Sequence, residues 1–504
     1  LLGATSTPTA LGNIDIKTAQ FTQTAGGVLD VSAVNTYAGH VTLQATESIY
    51  MSGSVLASSV MGSGQSTSYV LGNAVGGQLS LQATRRIDFD GAVLDASGPD
   101  GGGRIHVSAP GVPADPMPTH TMVAMTNTTV IRVNSSRAQA GRVEVEGDDI
   151  SLDNTRIDAT GATGGGTVLV GGDWQGSGTM KQATTVSMSA DSVIDASATD
   201  NGDGGKVVLW SDVHNANSVT QVNGSIKAEA GPNGGDGGKV ETSGHQLKVG
   251  SLAQVDTQGG QWLLDPYNFT IAASGGDITG AQLGTALSSS NVTIQTFASG
   301  NATATGGGLN TNSSATSGNG DININDAVAW TSTKVLTLTA VGAINGTANI
   351  TMNGSSAGQG LVFDQGSDGT FSGNIFGNSA TRVATFTKLG AGTLTMSGTG
   401  NGLNANSTSF GTTIAAGTLK AGHQSVFGNL LSSVSVSSGA TLDITNASPS
   451  TAIPLTLNGS GVGGVGALFK GISSGNSGWV GVITLGSDTL ISVASGSAYG
   501  LSVN

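Results

Sequence analysis

Short aliphatic runs alternate with polar residues through the first half of the chain, as in Val41-Thr42-Leu43-Gln44 and Arg142-Val143-Glu144-Val145-Glu146. A period of two turns one side of each run inward and the other to water, which predicts half-buried β-strands. The runs recur through the stretch 1–265 as a unit of strand, Gly-rich turn and second strand. The clearest copies are Val93-Leu94-Asp95-Ala96-Ser97 leading to Gly103-Arg104-Ile105-His106-Val107, and Ile194-Asp195-Ala196-Ser197 leading to Gly205-Lys206-Val207-Val208-Leu209. Others begin at Leu29, Leu56, Ile131, Ile157, Ile226 and Val255. With Asp30, Ala57, Asp95, Arg132, Asp158, Asp195, Lys227 and Asp256 taken as equivalent, successive units lie 26 to 38 residues apart. A third short strand often follows, at Ile49-Tyr50-Met51, Ile87-Asp88-Phe89 and Ile150-Ser151-Leu152, giving about three strands per unit, the content of one solenoid coil.

The glycine runs at 101–103, 164–166, 204–205 and 234–238 read as corners where the backbone needs φ > 0, with loops of varied length projecting from one edge. No helical crossover is present to build a doubly wound sheet. The expected class is therefore all-β, a parallel β-helix forming a single elongated rod of roughly 80–100 Å if coils stack at about 4.8 Å. One helix is expected: Thr279-Gly280-Ala281-Gln282 has capping-box spacing and precedes Leu283 to Leu287, ahead of the strand Val292-Thr293-Ile294.

Composition narrows the function classes. Charged residues are 10% of the 504, with 81 glycines, which is unlike an ordinary enzyme. The net charge of −14, with no Lys/Arg cluster interleaved with aromatics, argues against nucleic-acid binding. Zero cysteines excludes disulfides, thiol catalysis and thiolate metal sites, and suits an extracellular chain held by its ladder alone. No apolar run is long enough to span a bilayer as a helix, and a chain opening at Leu1 without a signal-like segment is expected to be a mature or excised piece. Composition shifts near 265–275, since 38 of the 50 charged residues lie in 1–270 and no Glu follows Glu241.

The segment Gly260-Gln261-Trp262-Leu263-Leu264-Asp265-Pro266-Tyr267-Asn268-Phe269-Thr270-Ile271 resembles one typical of filamentous-haemagglutinin-like exoproteins of two-partner secretion. Gly204-Gly205-Lys206-Val207-Val208-Leu209-Trp210 and Gly237-Gly238-Lys239-Val240-Glu241-Thr242-Ser243-Gly244 look like the coils that lead into it. Gly320-Asp321-Ile322-Asn323-Ile324, Ala329-Trp330 and Leu336-Thr337-Leu338-Thr339-Ala340 look like the coil that follows. A second signature, Phe386-Thr387-Lys388-Leu389-Gly390-Ala391-Gly392-Thr393-Leu394-Thr395-Met396-Ser397-Gly398, continued by Gly411-Thr412-Thr413-Ile414 and Ala416-Gly417-Thr418-Leu419-Lys420-Ala421-Gly422, resembles the autotransporter-associated β-strand repeat. Together these resemblances cover about 90–504 and imply a right-handed parallel β-helix exported across the outer membrane of a Gram-negative cell through a secretion transporter. They divide the chain into coils of the filamentous-haemagglutinin type (1–265), a continuation with a helical insertion (266–375) and an autotransporter-type solenoid (376–504). The Asn-Pro motifs of the family's secretion domain and a membrane-barrel pattern are not found, so the chain is expected to be an internal or processed portion.

Candidate chemistry is sparse. Asp95, Asp158, Asp195 and Asp256 recur at one point of the coil and could form a catalytic row of the kind polysaccharide-active β-helices need, but each reads first as the outward residue before a turn. Asp200-Asn201-Gly202-Asp203-Gly204-Gly205 and Asn233-Gly234-Gly235-Asp236-Gly237-Gly238 superficially resemble calcium loops, without the closing Glu of an EF-hand or a nonapeptide repeat; they read as turns. The histidines at 40, 106, 120, 214, 245 and 423 have no ligand spacing, no Gly-x-Ser-x-Gly stands on a strand-to-helix elbow, and Gly-x-Gly-x-x-Gly arises by chance in so Gly-rich a chain. Most of the Asn-x-Ser/Thr sequons, at Asn127, Asn134, Asn268, Asn291, Asn301, Asn312, Asn345, Asn349, Asn353, Asn406, Asn446 and Asn458, are expected by chance. Trp210, Trp262 and Trp330 sit on or beside aliphatic strands and read as packing rather than carbohydrate stacking.

The expectation is a non-catalytic extracellular shaft of a large adhesin for attachment or biofilm cohesion, with no cofactor or metal and with turns such as 110–120 and 299–319 presenting contact surface to a cell-surface or matrix ligand. The rival is a filament subunit associating end to end through open ladder edges. A polysaccharide-active enzyme ranks third.

Overall fold

The computed structural model describes residues 12–61, 74–111, 120–297, 320–352, 354, 356–377, 384–399, 410–428, 432–449 and 451–503. It forms two compact units, one of Leu1–Asp265 with Ala304–Gly308, the other of Pro266–Thr303 with Leu309–Asn504. The loop 299–319, most of the loop 110–120 and the sequons at Asn301, Asn312, Asn353 and Asn406 lie outside the described residues.

The first unit is a parallel β-solenoid whose coils each lay down three strands, and every strand pairs in parallel with its counterpart one coil on. One ladder runs through Gln78–Ala83, Arg104–Ser108, Arg142–Glu146, Thr167–Val170, Lys206–Trp210 and Lys239–Gly244. A second runs through Arg86–Asp90, Met122–Thr126, Asp149–Leu152, Thr185–Met188, Val219–Val222 and Gln246–Val249. Two long strands belong to both: Asn13–Gln23 pairs along its length with His40–Met51, whose leading part pairs with Gln78–Ala83 and whose trailing part pairs with Arg86–Asp90. The third ladder is made of three-residue strands, from Val28–Asp30 to Gln254–Asp256. In-register alternation stacks like on like: Val41, Leu79, Ile105, Val143, Val168, Val207 and Val240 form one fully buried column. Each column removes apolar surface from water continuously along the solenoid, which is what holds units too small to bury a face alone.

The Leu/Ile-Asp-Ala-Ser phrase explains the corner. The aliphatic residue points in, and the carboxylate of Asp95 accepts the N–H of Ser97 at 2.9 Å and its hydroxyl at 2.6 Å, as Asp158 does for Thr160 and Asp195 for the Ser197 N–H. The next alanine (Ala96, Ala159, Ala196, Ala228) is fully buried at the bend. Its carbonyl accepts the N–H of the glycine that opens the next strand: Gly103 to Ala96 at 2.7 Å, and Gly166 to Ala159, Gly205 to Ala196 and Gly238 to Ala228 at 2.8 Å. That bond pinches the chain into a neck. The number of residues between the two ends of the neck ranges from six between Ala159 and Gly166 to nineteen between Ala57 and Gly77 (2.7 Å), so the unit length varies while the register holds.

Two expectations need correction. Within the glycine runs only Gly101, Gly234 and Gly235 adopt positive φ. The others are needed for close approach between coils: a Cβ on Gly103 would lie 2.0 Å from the Gly77 carbonyl oxygen, on Gly141 1.9 Å from that of Gly103, and on Gly166 2.4 Å from that of Gly141. The same column continues through Gly205, Gly238 and Gly260. The second correction is a shift of one residue, since Leu56, not Ala57, stands between Asp30 and Asp95 in the ladder.

The second unit repeats the principle with shorter coils. One ladder joins Asn291–Gln295, Val335–Ala340, Gly360–Gln365, Ala384–Leu389, Phe410–Ile414, Ser433–Val436, Leu455–Gly459 and Ile483–Thr489. Another joins Phe269–Ile271, Ile322–Ile324, Ile344–Gly346, Gly369–Phe371, Thr393–Met396, Thr418–Ala421, Thr441–Asp443, Leu468–Lys470 and Ile491–Val493. Aromatic rings replace aliphatics inside some coils, with Phe363 edge-on to both Phe371 (5.6 Å) and Phe386 (5.4 Å). The expected helix is present at Gly280–Ala286 with its full capping box, the Thr279 side chain accepting from Gln282 N–H while the Gln282 side chain accepts from Thr279 N–H. Among the described residues no helix is long and apolar enough to cross a membrane.

Candidate functional site

An open groove of about 430 Å³ lies on the outer face of the second unit's shorter-stranded ladder. Its floor follows from the register. Thr393, Thr418 and Thr441 form one outward column, and Thr370, Thr395, Lys420, Asp443 and Phe469 a second, two residues along each strand. Between the columns Leu394, Leu419, Leu442 and Leu468 point inward and are fully buried, which fixes which side chains face out. Asp368 stands at one end, its carboxylate accepting the Thr393 N–H at 2.7 Å. Val465, at the end of the Val462–Gly464 turn, lines the groove and is 44% exposed; the turn is tied down by the Val462 N–H donating to the Thr441 hydroxyl at 2.9 Å.

The middle of the floor mixes engaged and solvent-facing groups. Asp443 spends one oxygen on the N–H and hydroxyl of Thr445, and Thr441 donates to the Gly466 carbonyl. Thr395, Thr418 and Lys420 make no side-chain hydrogen bond or ion pair among the described residues. Two hydroxyls and an ammonium therefore face solvent together, flanked by two carboxylates, at strand spacings of about 4.8 Å.

The first unit carries a second unusual region. Residues 171–183 leave the Thr167–Val170 strand and cross the outer face of the sheet as a strap, tied by Asp173 to Lys206 (2.8 Å) and Arg142 (3.8 Å) and by Gln182, which accepts the Trp210 indole N–H at 3.1 Å. Under it Leu169, Val208, Trp210 and Glu241 are fully buried although they stand on the outward side of their strands. Glu241 accepts the N–H of Gln175, itself in a left-handed conformation (φ 51), at 2.8 Å and the Ser243 hydroxyl at 2.9 Å. Burial outweighs these bonds and pushes its carboxyl up to about 8. Asp265 is also fully buried, and neither of its carboxylate oxygens has a hydrogen-bond partner among the described residues. Burial, then the nearby Glu241, raise it well above the ordinary range. Basic partners decide the opposite outcome for Glu144 and Asp173, where burial is overcome by Arg142 and Arg104, and by Lys206 and the Trp174 N–H, leaving both carboxyls lowered.

The residues singled out in the sequence take structural positions. Asp95, Asp158, Asp195 and Asp256 share one row, but Arg132 and Lys227 interrupt it and each carboxylate caps its own turn. In the two glycine-rich loops Asp200 accepts from the Asn233 carboxamide and Asp203 from the Asp236 N–H, so the stacked turns tie to one another. Among the described residues no group of three or more His, Asp or Glu side chains is placed to hold a metal ion. Trp210, Trp262 and Trp330 are buried, with their indole N–H groups on Gln182, Thr242 and the Lys334 carbonyl. The carboxamides of Asn268, Asn291, Asn345 and Asn349 join neighbouring coils. The groove residues are no candidate site in the sequence pattern alone, although Thr393-Leu394-Thr395, Thr418-Leu419-Lys420 and Thr441-Leu442-Asp443 repeat a Thr-Leu-polar triplet that signals one outward-facing pair per coil. Comparison with known proteins finds no matching family model and no matching curated relative.

Proposed function

We propose that the chain is a non-catalytic extracellular shaft, part of a large adhesin displayed on a Gram-negative outer surface, exported through an outer-membrane transporter and used for attachment or biofilm cohesion. The observation that carries this reading is the groove on the second unit: ladder register sets rows of outward hydroxyl and charged side chains side by side over successive coils, and Thr395, Thr418 and Lys420 have no side-chain partner among the described residues. Such an array suits recognition spread over an extended surface, with rigidity supplied by the ladders. The resemblance of 260–271 and 386–422 to exported β-helical proteins supports the location. The test is attachment: beads coated with the full chain should bind a biofilm matrix or cell surface above beads coated with an unrelated acidic protein, and equal retention of the two would remove the reading.

A further inference from the structure

Resting on the attachment reading, we propose that the Thr393–Phe469 groove is a binding site for a neutral, extended polysaccharide, lying along the ladder axis across the strands. The backbone of each central strand is consumed by its two neighbours, so the floor offers side chains only and cannot take a peptide by strand addition. The two flanking carboxylates, Asp368 and Asp443, outnumber the one ammonium, Lys420, which disfavours a polyanion such as nucleic acid or a polyuronate. The groove is open and its floor is hydroxyl-rich, unlike the enclosed apolar clefts that hold small hydrophobic ligands.

A chain of sugar hydroxyls has the complementary properties. Free Thr395 and Thr418 hydroxyls can donate and accept, Lys420 donates, and Asp368 and Asp443 each keep an oxygen to accept. The half-buried ring of Phe469, next after Asp443 in the column, offers an apolar platform for the C–H face of a pyranose. Polar side chains recur along the second column at each coil from Thr370 to Asp443, about 4.8 Å apart, so one extended chain can meet several of them in turn. Successive sugars would therefore meet hydroxyls at Thr370 and Thr395, then the Lys420 ammonium, the Asp443 carboxylate and the Phe469 ring.

Soluble oligosaccharides of β-linked glucose, mannose and xylose, and polygalacturonate as the acidic probe, are to be titrated calorimetrically into the full chain and into Thr395→Val/Thr418→Val, which removes two hydroxyls while keeping side-chain shape. The expected result is binding of at least one neutral oligosaccharide, weakened about tenfold or more in the double variant, since two hydrogen bonds are lost, and no binding of polygalacturonate. The thermal unfolding of the variant should match that of the parent, and Lys420→Ala should weaken binding independently. No binding of any neutral probe, unchanged affinity in both variants, or tighter binding of polygalacturonate would each overturn the site. Bead attachment separates this from the broader reading: attachment that survives Thr395→Val/Thr418→Val leaves the adhesin and removes the groove, whereas glycan binding without attachment leaves the groove and removes the adhesin.

Discussion

Replacing Glu241 with Gln should make the first unit more stable at neutral and alkaline pH. The side chain is fully buried under the 171–183 strap, and ionising it there is opposed by burial. An ordinary value of 4.5 raised to about 8 means that the folded chain keeps a proton that the unfolded chain has released between those limits. Stability from this group is therefore full below pH 4.5 and is lost as the pH rises towards 8. At 1.36 kcal/mol per pH unit the loss is roughly 3 kcal/mol by pH 7 and about 5 kcal/mol once both states are ionised. Asp265, raised by burial and by Glu241, adds to the loss in the same direction. Glu241→Gln keeps one oxygen to accept the Gln175 N–H, while its NH2 can donate to the Ser243 hydroxyl oxygen; it cannot ionise, and it lifts the repulsion on Asp265. The assay is guanidinium unfolding followed by tryptophan fluorescence between pH 4.5 and 9, because Trp174, Trp210 and Trp262 all lie in this unit. The parent midpoint should fall with rising pH and that of Glu241→Gln should fall much less. A parent midpoint that is flat over this range, or an equally steep fall in the variant, would refute the reasoning.

Three further outcomes are expected. Lys388 is fully buried with its ammonium on the Leu389, Gly390 and Ala416 carbonyls, and burial lowers it from 10.5 to about 8, so the second unit should gain about 3 kcal/mol as the pH rises from 8 to 10.5, a gain that Lys388→Met abolishes in alkaline denaturation curves. Gly166→Ala places a Cβ 2.4 Å from the Gly141 carbonyl oxygen and should cost about 1–3 kcal/mol in chemical unfolding, whereas Gly475→Ala, which meets nothing within 4 Å, should stay within about 0.5 kcal/mol of the parent. Thr279→Ala removes the helix cap and should speed hydrogen exchange over Gly280–Ala286 about fivefold, with the ladder strands unaffected.

What could be read in the sequence was local. Period-two alternation around Val143 or Val207 needs no partner to be seen, and the Thr279–Gln282 capping box spans four residues, so strands, coil content and helix were legible. Features that depend on neighbouring coils were not. Gly166 looks like a flexible turn residue until the Gly141 carbonyl is placed against it, and the irregular unit length hides the constant neck between Ala159 and Gly166. Glu241 stands at an outward position and becomes buried only because a strap 66 residues earlier in the chain folds over it. The groove is likewise a product of register, since Thr395, Lys420 and Asp443 meet only when coils of different length align.

That alignment is the claim on which the rest depends, and the chain, which has no cysteine, allows a direct test. Thr395 and Lys420 are register partners on adjacent parallel strands, while Leu419 points to the opposite face. Their Cα atoms, about 4.8 Å apart, lie within disulfide reach. Oxidation of Thr395→Cys/Lys420→Cys should give near-complete intramolecular disulfide by mass spectrometry, and Thr395→Cys/Leu419→Cys should give almost none. Efficient bonding in the second pair with none in the first would contradict the solenoid register and, with it, the groove.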